Sequence, residues 1–118
     1  MIKLSKYGYV RVGAVCPQLR IADPAFNITM MLEFLKKSKD LNLQIITFPE
    51  MSITGYTCAD LFHQTNLLTE AEKQLGILIK NTEELSSLIA VGLPLKADNQ
   101  LFNCAVLFRK GKILGVVP

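Results

Sequence analysis

The chain has 118 residues, half of them hydrophobic and 19% charged, which is enough for one packed domain and argues against disorder. With 13 basic and 10 acidic side chains the net charge of +3 is too mild for a nucleic-acid surface. No stretch reaches the ~18 uninterrupted apolar residues of a membrane-spanning helix, and Lys6 and Arg11 break the apolar run that a signal peptide needs.

The segment "YGYVRVGAV", rich in β-branched and aromatic residues, predicts a first strand, closed by Pro17. Asp23-Pro24 offers an N-cap and a proline for the first helical position. The helix then runs to about Asp40, with Ile28, Met31, Leu32 and Leu35 on one stripe and Lys36, Lys37 and Lys39 toward water. "LQIITF" lacks polar alternation and predicts a second strand buried on both faces. Leu68, Ala71, Leu75, Leu78 and Ile79 recur at helical spacing; this helix opens on a Thr69–Glu72 capping box or earlier, near Thr65. "LIAVGLP" predicts a third strand ended by Pro94, and "LFNCAVLFRKGKILGVV" a hairpin turning near Lys110-Gly111. The order β-α-β-α-β-β-β predicts an α/β domain with helices against a sheet. No helix follows to cover the last strands, and a bare sheet edge invites association. The expectation is the front part of a larger domain, or a sheet completed by another copy.

Glu50 stands where the second strand runs out, and ligands of open α/β sheets bind beyond such strand ends. Pro49 cannot donate to a ladder and favours ending the pairing there. A carboxylate among apolar neighbours has its charged form disfavoured by desolvation and suits proton transfer near neutral pH. The spacing alone favours a surface glutamate closing a loop, since strand-end glutamates are common.

"FPEMSITGY" resembles the first catalytic motif of the nitrilase (carbon–nitrogen hydrolase) superfamily, in which an apolar strand ends in Phe-Pro-Glu and a Gly-Tyr follows. "VRVGAVCPQ", Asn27, "VGLP" and "LFNCAVLFRKGKILGVVP" extend the resemblance over nearly the whole chain. Within the superfamily, "ITGYTCADLFHQ" is most similar to the amidase domains of bacterial glutamine-dependent NAD+ synthetases. The resemblance implies a nitrilase-type α-β-β-α sandwich, of which residues 1–118 supply the N-terminal portion of a glutamine amidotransferase domain. It also implies a Glu-Lys-Cys triad, with Glu50 as general base and acid. The lysine, which stabilises an oxyanion, and the nucleophilic cysteine are expected after Pro118, so this segment alone is predicted inactive. Glutamine is the expected substrate. ATP and Mg2+ belong to a synthetase domain that this segment does not contain, and it has no Gly-rich phosphate loop of standard signature. A stand-alone amidase for another small amide and a noncatalytic association module remain the alternatives.

Cys58, Asp60 and His63 hold the residue types of a thiol-protease site. One short turn can hardly present three side chains to one atom, and such groups come from separated elements. Asp60 is expected to cap or open a short helix, Leu61 and Phe62 to pack, and His63 to be partly exposed. Gly55 is expected to take a backbone conformation closed to bulkier residues. Tyr56 either lines the substrate pocket or is a buried ring with a satisfied hydroxyl. Cys16 and Cys104 are read as small buried hydrophobes, and Asn103 as structural rather than catalytic. The three cysteines show no metal-ligand spacing, so zinc is not expected and a reduced, cytoplasmic protein is.

Overall fold

The first helix begins where the Asp23 side chain accepts a hydrogen bond from the Phe26 amide at 3.0 Å, with Pro24 in the first turn. This is the start read from the sequence. In the computed structural model, which describes residues 2–118, the elements are β1 (Val12–Ala14), α1 (Pro24–Lys37), β2 (Ile45–Thr47), α2 (Thr65–Lys80), β3 (Leu88–Ala97), β4 (Gln100–Arg109) and β5 (Lys112–Val117). Their order is the predicted one. The strands lie in a single sheet in the order β1-β2-β3-β4-β5. The first three are parallel and joined through the two helices, and the last two are added antiparallel.

One face of this sheet carries the core. Ile46, Ile89, Val91, Leu93, Val106 and Phe108 point to the helices and meet Ile28, Met31 and Leu35 of α1 and Ala71, Leu75 and Leu78 of α2. The helical stripes therefore have a common target, and burying each of these side chains larger than alanine is worth roughly 1.5–3 kcal/mol before the entropy of ordering them is counted. The opposite face is uncovered. One row across it runs Ala14, Thr47, Ala90, Leu107 and Gly115 in register. Ala14, Thr47, Ala105 and Val117 on this face are exposed. The expectation that β2 is buried on both faces thus fails for this segment, because both helices lie on the same side.

Two strand boundaries depart clearly from the sequence reading, and the start of the second helix is settled between its alternatives. Residues 2–10 form no strand: Leu4–Tyr7 makes a short 3-10 helix, and Gly8 ends it in the left-handed region at φ 80°. The second helix opens at Thr65, the earlier of the two starts that the sequence allows, and not on a Thr69–Glu72 capping box. Pro94 does not end β3, which continues to Ala97. The reason lies in the alternation of the ladder. Leu88, Ala90 and Gly92 direct their backbone polar groups toward β2 and the segment following it. Pro94 shares that parity, so its missing N–H removes nothing from the β3–β4 ladder. The hairpin turns at Lys110-Gly111 as expected, both residues having positive φ, 48° and 75°.

Candidate active site

The strand β2 ends at Thr47, and the chain then folds sharply across β3. The Phe48 amide still donates to the Ala90 carbonyl at 2.9 Å, after which Pro49 cannot continue the pairing. Met51 takes φ 52°, a left-handed conformation uncommon outside glycine. Turn hydrogen bonds from Ser52 N to Pro49 O (3.1 Å) and from Gly55 N to Met51 O (2.8 Å) close the elbow. Two bonds then pin it to the middle of β3: Ile53 N donates to Gly92 O at 3.1 Å, and Gly92 N donates to the buried Ser52 Oγ at 3.3 Å.

Gly92 permits this close approach. A methyl placed on its Cα would lie 3.0 Å from the Glu50 Cα and nearer still to the Met51 nitrogen. Only a residue without a Cβ lets the Glu50–Met51 backbone rest there. A glycine in the middle of "LIAVGLP" is the one sign of this contact in the sequence, and it does not say which segment comes close.

A second anchor comes from α1. Asn27 is wholly buried and saturated. Its Oδ1 accepts from Arg20 N at 2.7 Å, and its Nδ2 donates to the carbonyls of Arg20 and Ile53, both at 2.9 Å. It therefore ties the loop after β1 to the elbow after β2. Gly55 adopts φ 87°, as expected, and a Cβ there would also press on the Ile21 backbone at 3.2 Å.

On this scaffold Glu50 projects at the strand end, as its sequence position predicts. Its Oε1 accepts a hydrogen bond from Nδ2 of Asn103 on β4. The two side chains share a shallow cleft of about 390 Å³ with Phe48, Pro49, Gly92, Cys104, Ala105 and Pro118 among its lining residues. The carboxylate is exposed, not desolvated as expected, because the uncovered sheet face leaves the cleft open to water.

Of the other singled-out residues Cys104 borders this cleft, and the rest lie away from it. Tyr56 is 66% exposed and does not line it, so its ring is not buried either. The Cys58 thiol is buried and donates to the carbonyls of Thr54 (3.2 Å) and Gly55 (3.4 Å), a structural use of the side chain. Asp60 and His63 lie in the short 3-10 helix Ala59–His63, both exposed, and no side chain caps it. Phe62 is half-buried, but Leu61 is exposed rather than packed. Cys104 is buried on the helix side of β4, and burial raises its thiol pKa. Cys16 is exposed, contrary to expectation, because β1 stops at Ala14 and leaves it in the loop at the sheet edge. Among the described residues no group of three or more His, Cys, Asp or Glu could hold a metal ion.

Residues 11–117 match the family model described as carbon-nitrogen hydrolase. The glutamine-dependent NAD(+) synthetase of Mycobacterium tuberculosis is 34% identical over 113 residues, which are 96% of this chain and 17% of that protein. A crystal structure of a glutamine-dependent NAD(+) synthetase from Cytophaga hutchinsonii superposes with a TM-score of 0.83 at 25% identity, over 91% of this chain and 18% of the other. A variant of the Nesterenkonia AN1 amidase, of the nitrilase superfamily, gives a TM-score of 0.74 at 18% identity, over 92% of this chain and 42% of the other, and so shares the fold. The chain spans about one sixth of the length of the synthetases it is similar to.

Proposed function

From the fact that this chain belongs to the carbon-nitrogen hydrolase family, we propose that Glu50 is the proton-transfer group of an amide hydrolysis and that the amide is glutamine. In this reading Glu50 takes the proton from a cysteine thiol, and the thiolate adds to the amide carbonyl. The tetrahedral intermediate collapses to a thioester as ammonia leaves with a proton from Glu50. Water, deprotonated by the same carboxylate, then releases glutamate. A fixed lysine would hold the oxyanion, a role in which a preorganised positive charge is effective. Both the lysine and the thiol would come from sequence after Pro118. Cys58 and Cys104 are unsuited to the nucleophile's role, the first bonded to backbone carbonyls and the second buried in β4 opposite the core residue Leu93.

The observation that carries this reading is the placement of Glu50: at a strand end, on an elbow fixed by Gly92, Ser52 and Asn27, with one oxygen held and the cleft beside it. Glutamine as the amide is supported by the similarity to glutamine-dependent NAD(+) synthetases over almost all of the chain. The ammonia would serve a synthetase unit of the same protein, and ATP and Mg2+ would act there. No step involving them is assigned to residues of this segment. The uncovered sheet face and the free edge of β5 support packing against the rest of the domain or a second copy.

The test is glutamate release from glutamine by the longer protein carrying this segment, set beside asparagine and simple aliphatic amides. Preferred hydrolysis of glutamine is expected, with none from the 118-residue segment alone. Preference for another small amide would replace glutamine in this account, and turnover by the isolated segment would contradict the proposed division of the site.

A further inference from the structure

We propose that Asn103 is a positioning residue for Glu50, holding Oε1 so that Oε2 is the atom that moves the proton. The inference rests on the amide-hydrolase reading and adds to it a residue that the catalytic motif does not contain. Asn103 lies in the body of β4, in register with Pro94 on β3, and its side chain stands on the uncovered face. Asparagine is depleted in strands, and an exposed one contributes nothing to the core. The hydrogen bond recorded for its side chain goes to Glu50, from Nδ2 to Oε1. Oε2 makes no hydrogen bond among the described residues.

The asymmetry has a chemical use. A glutamate has three rotatable side-chain bonds, and proton transfer needs the accepting oxygen within hydrogen-bond reach of the proton. A donor on a paired strand is a fixed reference, whereas the elbow alone fixes only the Glu50 backbone. A neutral amide can hold one oxygen without the full positive charge that would weaken the other as a base. Gly92 and Asn103 then divide the task. Gly92 sets where the backbone of residue 50 lies, and Asn103 sets where its carboxylate points.

The experiment uses the longer protein carrying this segment, with Asn103→Leu and Asn103→Ala alone and in a Glu50→Ala background. Glutamine hydrolysis and thermal unfolding are measured for each. The single variants are expected to lower kcat by roughly 10–100-fold, part of the ~10²–10⁴-fold that a positioned acid–base group supplies. KM should stay within about threefold, since an interaction specific to the transition state is being removed. Melting should be unchanged, and in the Glu50→Ala background Asn103→Leu should cause no further loss, because the two residues act as one unit. Full activity of the single variants, a change in KM alone, or an equal further loss without Glu50 would overturn the proposal while leaving the hydrolase reading intact. Wild-type hydrolysis indifferent to Glu50→Ala would overturn both.

Discussion

At residue 92 the absence of a side chain has a defined consequence. A Cβ there meets backbone atoms of Glu50 and Met51, which cannot swing aside as a flexible side chain would. Gly92→Ala is therefore expected to destabilise the fold by about 1–3 kcal/mol, the usual range for forcing extra volume into a packed site. In urea unfolding, a Gly92→Ala midpoint equal to wild type would show that the elbow can lift without cost. Asn27 is the complementary case, a buried amide satisfying three backbone groups. Asn27→Ala leaves those groups without a protein partner, and a loss on the order of 3 kcal/mol is expected by the same measurement. Cys104 makes a pH prediction. Burial raises its thiol pKa above the ordinary 9.0, so the folded state binds this proton more tightly than the unfolded chain does. Its contribution to stability is fully present below pH 9.0 and is lost as pH rises from there through the folded-state value. Replacing it by alanine should flatten that alkaline limb in denaturation curves taken between about pH 8 and 11; an unchanged slope would assign the limb to other groups.

At the scale of elements, the two helices were legible because their stripes are regular and their starts are marked. Asp23-Pro24 announced α1, and Ala71, Leu75 and Leu78 announced the buried side of α2. The hairpin was legible because Lys110-Gly111 suits a two-residue turn with positive φ. The first strand was overdrawn: Tyr7, Tyr9 and Val10 have strand-like side chains, but Gly8 turns the chain before them into a short helix cap and only Val12–Ala14 finds a partner. Pro94 misled because local chemistry marks a missing donor without saying which side of the strand it faces. Glu50 was readable from the run before it. Its partner Asn103 looks merely structural in the sequence, since nothing local on β4 indicates that residue 50 lies across from it. The α2 helix also offers a control for Gly92. Gly76 is exposed there, and a Cβ would meet nothing within 4 Å. Gly76→Ala should stabilise the fold by about 0.5–1 kcal/mol in urea unfolding, through helix propensity alone; a loss instead would place Gly76 in a contact that the fold does not show.

For the whole molecule, the decisive feature is a sheet with helices on one side only. Ala14, Ala90, Ala105 and Gly115 give the other face a low profile, and Ile45, Leu88, Leu107 and Val117 make it apolar. Small and aliphatic residues in register suit a second layer packed closely against them. The cleft beside Glu50 opens on this same face, so whatever covers the sheet also closes over the carboxylate. The site and the uncovered face thus meet: on the proposed reading the residues here orient a base, and a layer packed opposite would supply the groups that complete the reaction.

The most direct test compares glutamine turnover by the longer protein carrying this segment with that of its Glu50→Gln variant, a change that keeps size and removes the basic oxygen pair. The account predicts a fall in kcat of at least ~10²-fold with folding intact, since the proton-transfer group itself is lost. Turnover within a few-fold of wild type would contradict it.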